Sequence, residues 1–518
     1  MSSSLSRMVR NALTMMIGTL TSRVLGLVRE IITAALFGAS RGLDAFYVAY
    51  TLSNIARQLL AEGALSAAFV PVFTQAMEHS GRGRGRALAQ QALTVLLLSC
   101  LAVIVLGIMM SPWLVNLMAP GFDREKAALA VSLTRWMFPY LLLVSVAALA
   151  MGVLNSLDRF FVPAVAPALS NIAYIMVVLL GASRMGVWSL VWAVLFGGLL
   201  QMALQVGVAC QEGIALVPAP PDRGDRDLRR MLALFLPYAA GLSLNQINPV
   251  ISRVLGSFLQ DGAISILNYA NRVIQLPLGL VVIAISQAVL PELSRCLLRG
   301  EEAFVQTVRD SVRFALFAIL PITLGACLVA SPVVHLLFYR GAFDKWAWEN
   351  TAQVLTMYAL GLPGMACTTV IMRALYASKL PKQAIVVTVS SVAATLGFSV
   401  LLLSPLGVAG LALASSLAFS CSAGVGIVLL RRSLDHSIEV FQVAWVIRMI
   451  GALGALYLGA ETMTCLWSYP VHRGLGVRSL WFLIFSGVGA LAYLTVAMLM
   501  RFPELVWIRE ACTKKKKT

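Results

Sequence analysis

Apolar runs of about 20 residues recur from one end of this chain to the other, and each can cross a hydrocarbon core of about 30 Å as a helix. The chain has 518 residues, of which 59% are hydrophobic and only 12% charged. A soluble surface could not hide so many apolar side chains. Because short alternating segments are missing, a β-barrel is not favoured. The sequence therefore predicts an all-α polytopic membrane protein.

About fourteen membrane spans can be read from the apolar runs and the polar loops between them. They lie near residues 13–36, 45–75, 88–110, 133–155, 163–182, 187–209, 232–258, 269–291, 312–331, 351–376, 384–404, 407–430, 442–464 and 479–500.

The formal net charge of +17 raises the possibility of nucleic-acid binding. Its distribution argues against that, because the cations lie mainly in short loops and form no single basic face. Most of the 40 Lys and Arg fall in alternate loops, including residues 82–86 and the tail 514–517. The positive-inside rule then predicts that both termini are cytoplasmic.

The two halves of the chain carry matching segments. Residues 22–26 (SRVLG) in the first span recur identically at 252–256 in the seventh, and residues 68–71 (AFVP) are echoed by 288–291 (AVLP). Two six-helix halves of the same orientation predict parallel lobes related by a pseudo-two-fold axis, with substrate between them. The predicted domains are an N-terminal lobe (1–210), a cytoplasmic linker (211–231), a C-terminal lobe (232–432), and two additional helices with a basic tail (433–518).

Seven arginines lie inside the predicted spans, where each costs roughly 2.5 to 3.5 kcal/mol unless its surroundings compensate. They are Arg23, Arg29, Arg57, Arg253, Arg272, Arg373 and Arg448. Arg373 and Arg448 lie near span ends, so snorkelling to headgroups is an alternative for them. Arg23, Arg29, Arg57 and Arg272 are harder to explain in this way, and they indicate a polar cavity in the membrane.

Few carboxylates accompany these arginines. Glu30 follows Arg29 directly and could neutralise it, while Asp44 begins the second span. Asn54 and Arg57 share a helix face at i and i+3. An excess of fixed cations favours an anionic ligand, and guanidinium groups suit a phosphate or pyrophosphate.

Signatures of an enzyme or a metal site are missing from the sequence. The eight cysteines and four histidines are scattered, and neither an H-E-x-x-H nor a Walker A pattern occurs. We therefore expect no enzymatic activity, no metal and no cofactor.

Several motifs together resemble the MurJ (MviN) family of lipid II flippases, within the multidrug/oligosaccharidyl-lipid/polysaccharide exporter superfamily. They are residues 21–30 (TSRVLGLVRE), 44–49 (DAFYVA), 61–66 (AEGALS), 68–71 (AFVP), 245–248 (NQIN), 269–272 (YANR), 275–279 (QLPLG) and 340–343 (RGAF).

The resemblance implies a central cationic cavity lined by Arg23, Arg29, Arg57 and Arg272 together with Glu30 and Asp44. It implies a substrate as well, namely lipid II: undecaprenyl-pyrophosphate-linked disaccharide-pentapeptide carried to the periplasmic leaflet for peptidoglycan synthesis. The last two spans would form a groove for the polyprenyl tail. Partners implied are lipid II, membrane lipids and cell-wall synthesis enzymes, and no nucleic acid.

Ser252 and Asn271 occupy positions at which many members of that family carry an acid. Membrane potential acting on bound charge is available as a drive, at about 2.3 kcal/mol per unit charge per 100 mV. Two rivals remain: an exporter of drugs or of another lipid-linked oligosaccharide, and a non-transporting membrane scaffold. An arginine-rich cavity would repel the organic cations that drug exporters carry.

Overall fold

The computed structural model describes residues 2–59, 64–222, 224–243, 246–434 and 442–507. Glu62, Arg223 and the basic tail at 514–517 lie outside the described residues. The described chain consists of helices joined by turns and loops, and it contains no strand. The predicted all-α class is confirmed.

The first ten helices precede the middle of the chain. They are α1 (Ser2–Phe37), α2 (Arg41–Arg57), α3 (Ala64–Met109), α4 (Ser111–Met118), α5 (Arg124–Met137), α6 (Tyr140–Ser156), α7 (Phe161–Met185), α8 (Trp188–Gln211), α9 (Arg226–Ser243) and α10 (Ile247–Gly256).

Nine more helices and a short π-helical segment (Leu278–Val282) complete the described chain. They are α11 (Ala263–Pro277), α12 (Ile283–Arg299), α13 (Glu301–Leu328), α14 (Ala330–Phe338), α15 (Lys345–Ala359), α16 (Leu362–Ala377), α17 (Pro381–Ser433), α18 (Val443–Leu466) and α19 (Leu475–Leu499).

Nine helical stretches of the described chain are long and apolar enough to cross a membrane. Two of them are interrupted by a glycine with positive φ, Gly81 in α3 and Gly407 in α17. Only glycine adopts these dihedrals readily, so each long helix is a pair of helices meeting at a kink. Apart from short turns, the described residues of all fourteen predicted spans are helical. The count of fourteen stays a prediction.

The chain forms two compact units, Met1–Ser265 and Ile266–Thr518. In the first unit, α3 packs on α6, which packs on α8, and α1 packs on α7. A Cβ added at Gly18 would lie 2.5 Å from the Cβ of Ala164, so the glycine permits the close approach of α1 to α7. Phe69 and Phe73 stack at 5.0 Å in the buried core of this unit.

The segment between α8 and α9 lies along α3. The Thr94 hydroxyl donates to the Ala219 carbonyl at 2.6 Å and accepts from the Ala219 amide at 2.9 Å. Gln90 donates to the carbonyl of Ala215 at 3.0 Å. Its described residues, 212–222 and 224–225, fall within the predicted linker, and we call them the α3 strap.

An ion-paired arginine fastens the end of the α3 strap. Arg84 bonds to Asp225 and, at 2.7 Å, to Asp227. Burial would raise the pKa of the Asp225 carboxyl, but the Arg84 guanidinium and the backbone amides of Leu228 and Asp227 lower it. Residues 82–86, predicted as a solvated loop, instead continue α3 as a helix beyond the kink, so that prediction is wrong.

The second unit pairs α16 with α17 and α18 with α19, and α13 contacts both pairs. The close α16–α17 contact depends on glycine, because a Cβ at Gly364 would lie 2.7 Å from the amide nitrogen of Ser420. Side chains that face away from this packing are large and apolar: Ile450 is 65% exposed and Leu491 is 67% exposed. Such exposure on spanning helices marks the surface that lipid covers.

Candidate substrate site

Arg29 and Glu30 form an ion pair within α1. The Arg29 guanidinium donates from Nη2 to Oε1 of Glu30 at 2.8 Å, and the side chain of Arg29 is 19% exposed. Tyr47 of α2 donates its hydroxyl to Oε2 of Glu30 at 2.9 Å. Both carboxylate oxygens of Glu30 thus have donors, and the acid that the sequence placed beside Arg29 does pair with it.

Helix α7 orients the same arginine. Arg29 donates from Nη1 to the Asn171 side-chain oxygen at 3.4 Å, and its guanidinium lies 5.0 Å from the centre of the Tyr174 ring. Asn171 donates in turn to the carbonyl of Ser22 at 3.2 Å. The Asn171 amide and the face of the Tyr174 ring therefore fix the orientation of the planar Arg29 guanidinium. A lysine ammonium at this position would not be oriented in the same way.

Arg253 of α10 brings a second guanidinium to this region. Its carbon lies 5.8 Å from the centre of the Tyr47 ring, and its Nε donates to the Thr51 hydroxyl at 3.2 Å. It also donates to the carbonyl of Ile264 at 3.2 Å. We call Arg29, Glu30, Tyr47, Arg253 and Thr51 the arginine network; these groups together carry two positive charges and one negative charge.

Asn54 and Arg57 meet on one face of α2, as predicted. The Asn54 side-chain oxygen accepts from Nε and Nη2 of Arg57 at 2.9 and 2.7 Å. These two hydrogen bonds fix the position of the Arg57 guanidinium. Because Asn54 is neutral, it does not cancel the charge of Arg57. Arg23, six residues before Arg29 in α1, forms no ion pair within the described chain.

Asp44 lies in a different cluster. It is 1% exposed, and its oxygens accept from the Gly262 amide at 2.7 Å, the Ser265 amide at 2.8 Å, the Ser265 hydroxyl at 2.7 Å and Lys126 at 2.9 Å. Lys126 is 4% exposed, although it lies between the spans predicted at 88–110 and 133–155, where the sequence predicts a loop. The structure thus brings Asp44 to the start of α11 and not to Arg29.

The other arginines singled out by the sequence belong to the second unit. Arg272 of α11 donates to Gln275 at 3.5 Å and is partly exposed. Arg373 donates to the Ser286 hydroxyl at 2.8 Å. Arg448 is exposed on α18, which agrees with the snorkelling alternative.

Chemically, the first unit presents guanidinium groups on α1, α2 and α10 whose N–H donors are oriented by Asn171, Asn54 and Thr51. Desolvated guanidinium groups bind oxyanions strongly, and paired N–H donors match phosphate geometry. Such a site can hold a phosphate-bearing ligand that lipid alone would exclude.

Comparison with known proteins decides the family. The model of the family "Lipid II flippase MurJ" matches residues 33–476. The chain belongs to this family. A probable lipid II flippase MurJ from Bdellovibrio bacteriovorus is 31% identical over 515 residues, which cover 98% of this chain and 97% of that protein. One from Rhizobium tropici is 35% identical over 421 residues, 79% of this chain and 78% of that protein.

Solved structures agree with the family assignment. A lipid II flippase MurJ in an inward closed conformation matches with a TM-score of 0.78 and 25% identity, over 94% of this chain and 99% of that one. An inward-facing multidrug resistance transporter of the MATE family matches with a TM-score of 0.68, over 83% of this chain and 98% of that one. At 15% identity, this second likeness concerns the fold alone. The family is one of membrane transporters.

Sequence reasoning missed several residues that this site uses. Asn171 and Tyr174 orient Arg29 from another helix, and Tyr47 supports Glu30. No local pattern marks them, because each is 17 or more residues from its partner. Lys126 lies between two predicted spans, which favours a loop position, and no local pattern marks its buried carboxylate partners.

Proposed function

We propose that this protein is a lipid II flippase, which moves undecaprenyl-pyrophosphate-linked disaccharide-pentapeptide from the cytoplasmic to the periplasmic leaflet of the inner membrane. Membership of the lipid II flippase MurJ family supports the substrate. The observation that carries the proposal within the molecule is the arginine network, because a net positive, oriented guanidinium site inside a membrane fits a pyrophosphate.

The seven residues singled out by the sequence remain our proposed substrate path: Arg23, Arg29, Glu30, Asp44, Asn54, Arg57 and Arg272. Arg29 and Arg57 are the proposed pyrophosphate ligands of the first unit, since neutral partners aim both of them. Glu30 pairs with Arg29 at 2.8 Å and compensates its charge until an anion arrives. The apolar undecaprenyl chain needs no shelter and can stay in lipid.

The proposed mechanism is alternating access, with both termini cytoplasmic and substrate captured from that side. The six-helix lobes 1–210 and 232–432 are the proposed moving parts. Membrane potential can drive release, because the bound headgroup carries negative charge across the field. Cell-wall synthesis enzymes are proposed partners that deliver or consume the lipid.

Complementation tests this function. Bacteria depleted of their own lipid II flippase receive either the wild-type chain or the Arg29→Ala variant, at matched membrane levels. We expect growth with wild type and lysis with Arg29→Ala, because the variant removes an aimed cation and leaves the Glu30 charge without its guanidinium.

The matched control is Arg159→Ala. Arg159 also pairs with a carboxylate, Glu212, at 2.8 Å, but its side chain is 60% exposed. It should support growth fully, because exposed pairs contribute little. A well-inserted wild-type chain that fails to rescue would make another lipid-linked oligosaccharide the substrate. Full rescue by Arg29→Ala would refute the role of the arginine network.

A further inference from the structure

A buried lysine at one end of the first unit has no role in the substrate path described so far. Lys126 of α5 lies 2.9 Å from Oδ2 of Asp44 and 2.7 Å from Oδ1 of Asp261, and its ammonium is 4.3 Å from the centre of the Phe122 ring. Only 4% of its side chain is exposed. A lysine is rarely buried to this degree unless its charge is paired, so the two carboxylates define its position.

Asp44 joins this lysine to two helix N-termini. It stands in the first turn of α2, and its carboxylate accepts the amides of Gly262 and Ser265 at the start of α11. Helix N-termini carry partial positive charge, and so Asp44 is held by α2, α5 and α11 together. With four donors on its two oxygens, it has no capacity left for a substrate group in this conformation.

Exposure across the cluster is graded. Asp261 is 51% exposed and Arg41 is 38% exposed, and these two approach to 3.8 Å at the rim. Arg41 also bonds to Asp123, the N-cap of α5. Water therefore reaches the rim pairs while Lys126 and Asp44 stay dry. Arg41 begins α2, at the end of that helix which we propose to be periplasmic.

Helix α11 continues from this cluster towards Arg272. Arg272 lies nine residues after Ala263 in the same helix, which is about 14 Å along its axis. A movement of the first turn of α11 can therefore change the position of Arg272, a residue of the proposed substrate path. No other cation among the described residues touches Asp44.

We propose that Lys126 is a positioning residue that locks Asp44 onto the start of α11, and that Asp44, Lys126 and Asp261 form a periplasmic latch that must open before the lipid leaves. This inference rests on the proposed flippase function. Opening the latch frees Asp44, which then becomes available to the substrate path.

Labelling of a buried cysteine tests the latch. Ser265→Cys is placed in a chain whose native cysteines are replaced, and spheroplasts are treated with a membrane-impermeant maleimide from the periplasmic side. Ser265 is fully buried, so labelling is slow while the latch is closed. Lys126→Met should accelerate it roughly tenfold, because the loss of one member of a buried ion pair strongly destabilises the other. Lys126→Arg should restore the slow rate, since it can bridge both carboxylates.

Lys345→Met is the matched control. Lys345 pairs with Glu349 but is 73% exposed, so its loss should leave the labelling rate unchanged. Asp261→Asn provides a milder variant in case Lys126→Met does not reach the membrane, and it should raise the rate about two- to threefold. Parental rates in well-inserted Lys126→Met, or in Asp261→Asn when Lys126→Met is lost, would overturn the proposal.

The same chains separate failure of the latch from failure of the flippase function. Arg29→Ala, combined with Ser265→Cys, should abolish complementation but leave the introduced thiol reacting at the parental rate. If wild type fails to complement while Lys126→Met still accelerates labelling, the substrate assignment falls and the latch stands. If wild type complements and Lys126→Met changes neither labelling nor growth, the latch falls and the function stands.

Discussion

The Arg29–Glu30 pair predicts a strong energetic coupling between two adjacent residues. Glu30 is 5% exposed and accepts Arg29 at 2.8 Å and Tyr47 at 2.9 Å. Arg29→Met leaves the buried Glu30 carboxylate without its ion-pair partner, and Glu30→Gln leaves the Arg29 guanidinium without its carboxylate. Each substitution should therefore destabilise the protein by about 3 to 5 kcal/mol. In the double variant no charge is stranded, and the Gln amide can still accept from Tyr47. The coupling energy should therefore be about 2 to 3 kcal/mol.

Unfolding of the purified protein in mixed micelles measures the four corners of this cycle. The same cycle at Arg159 and Glu212 is the control, and its coupling should stay below about 1 kcal/mol because that pair is exposed. The double variant at Arg29 and Glu30 should be about 2 to 3 kcal/mol more stable than the sum of the two single effects predicts. It should still fail to complement, since the cation is gone. Additive single effects would refute the claim that desolvation makes this pair interdependent.

Two further predictions concern the second unit. Burial, together with Arg478 and His472, lowers the pKa of His335 from 6.5 to about 4, so the folded protein disfavours the proton. Stability should be complete above pH 6.5 and fall by about 3 kcal/mol towards pH 4, and His335→Phe should flatten this pH dependence of unfolding. Gly364→Ala should cost about 1 to 3 kcal/mol in the same assay, because the new Cβ meets the α17 backbone. Gly397→Ala, with open space around it, should be neutral or slightly stabilising, and equal effects of the two would contradict the packing argument.

The sequence predicted the helices and the contacts between residues that are close together in the chain. Apolar runs indicated the helical class, and the spacing of Asn54 and Arg57 placed both on one face, where they do bond. The Arg29–Glu30 pair could be foreseen because the two residues are adjacent. Family motifs supplied the substrate, which charge alone could not, because a guanidinium recognises any suitable oxyanion.

Contacts between distant segments could not be predicted from the sequence. Asp44 meets Lys126 across 82 residues and Ser265 across 221, and no periodic pattern encodes such pairs. The ammonium of a lysine between two spans can lie in solvent or pair with a buried carboxylate. The position of the lysine in the sequence does not predict which of the two occurs. The helical course of residues 82–86 was missed for a similar reason, since their arginines and glycines suggested a loop while Asp225 and Asp227 supply partners.

The α3 strap is a connecting segment that is bonded to α3 and is not a free loop between helices. Thr94 and Gln90 bond to its middle, and Arg84 bonds to its end, so α3 contacts it at both places. A displacement of α9 relative to α3 therefore has to break the Arg84 ion pairs, because Asp227 lies in the first turn of α9 and Asp225 directly precedes that helix. An inserted tag or an added stretch of glycines near Ala219 would loosen that coupling, whereas most loop insertions are absorbed without effect.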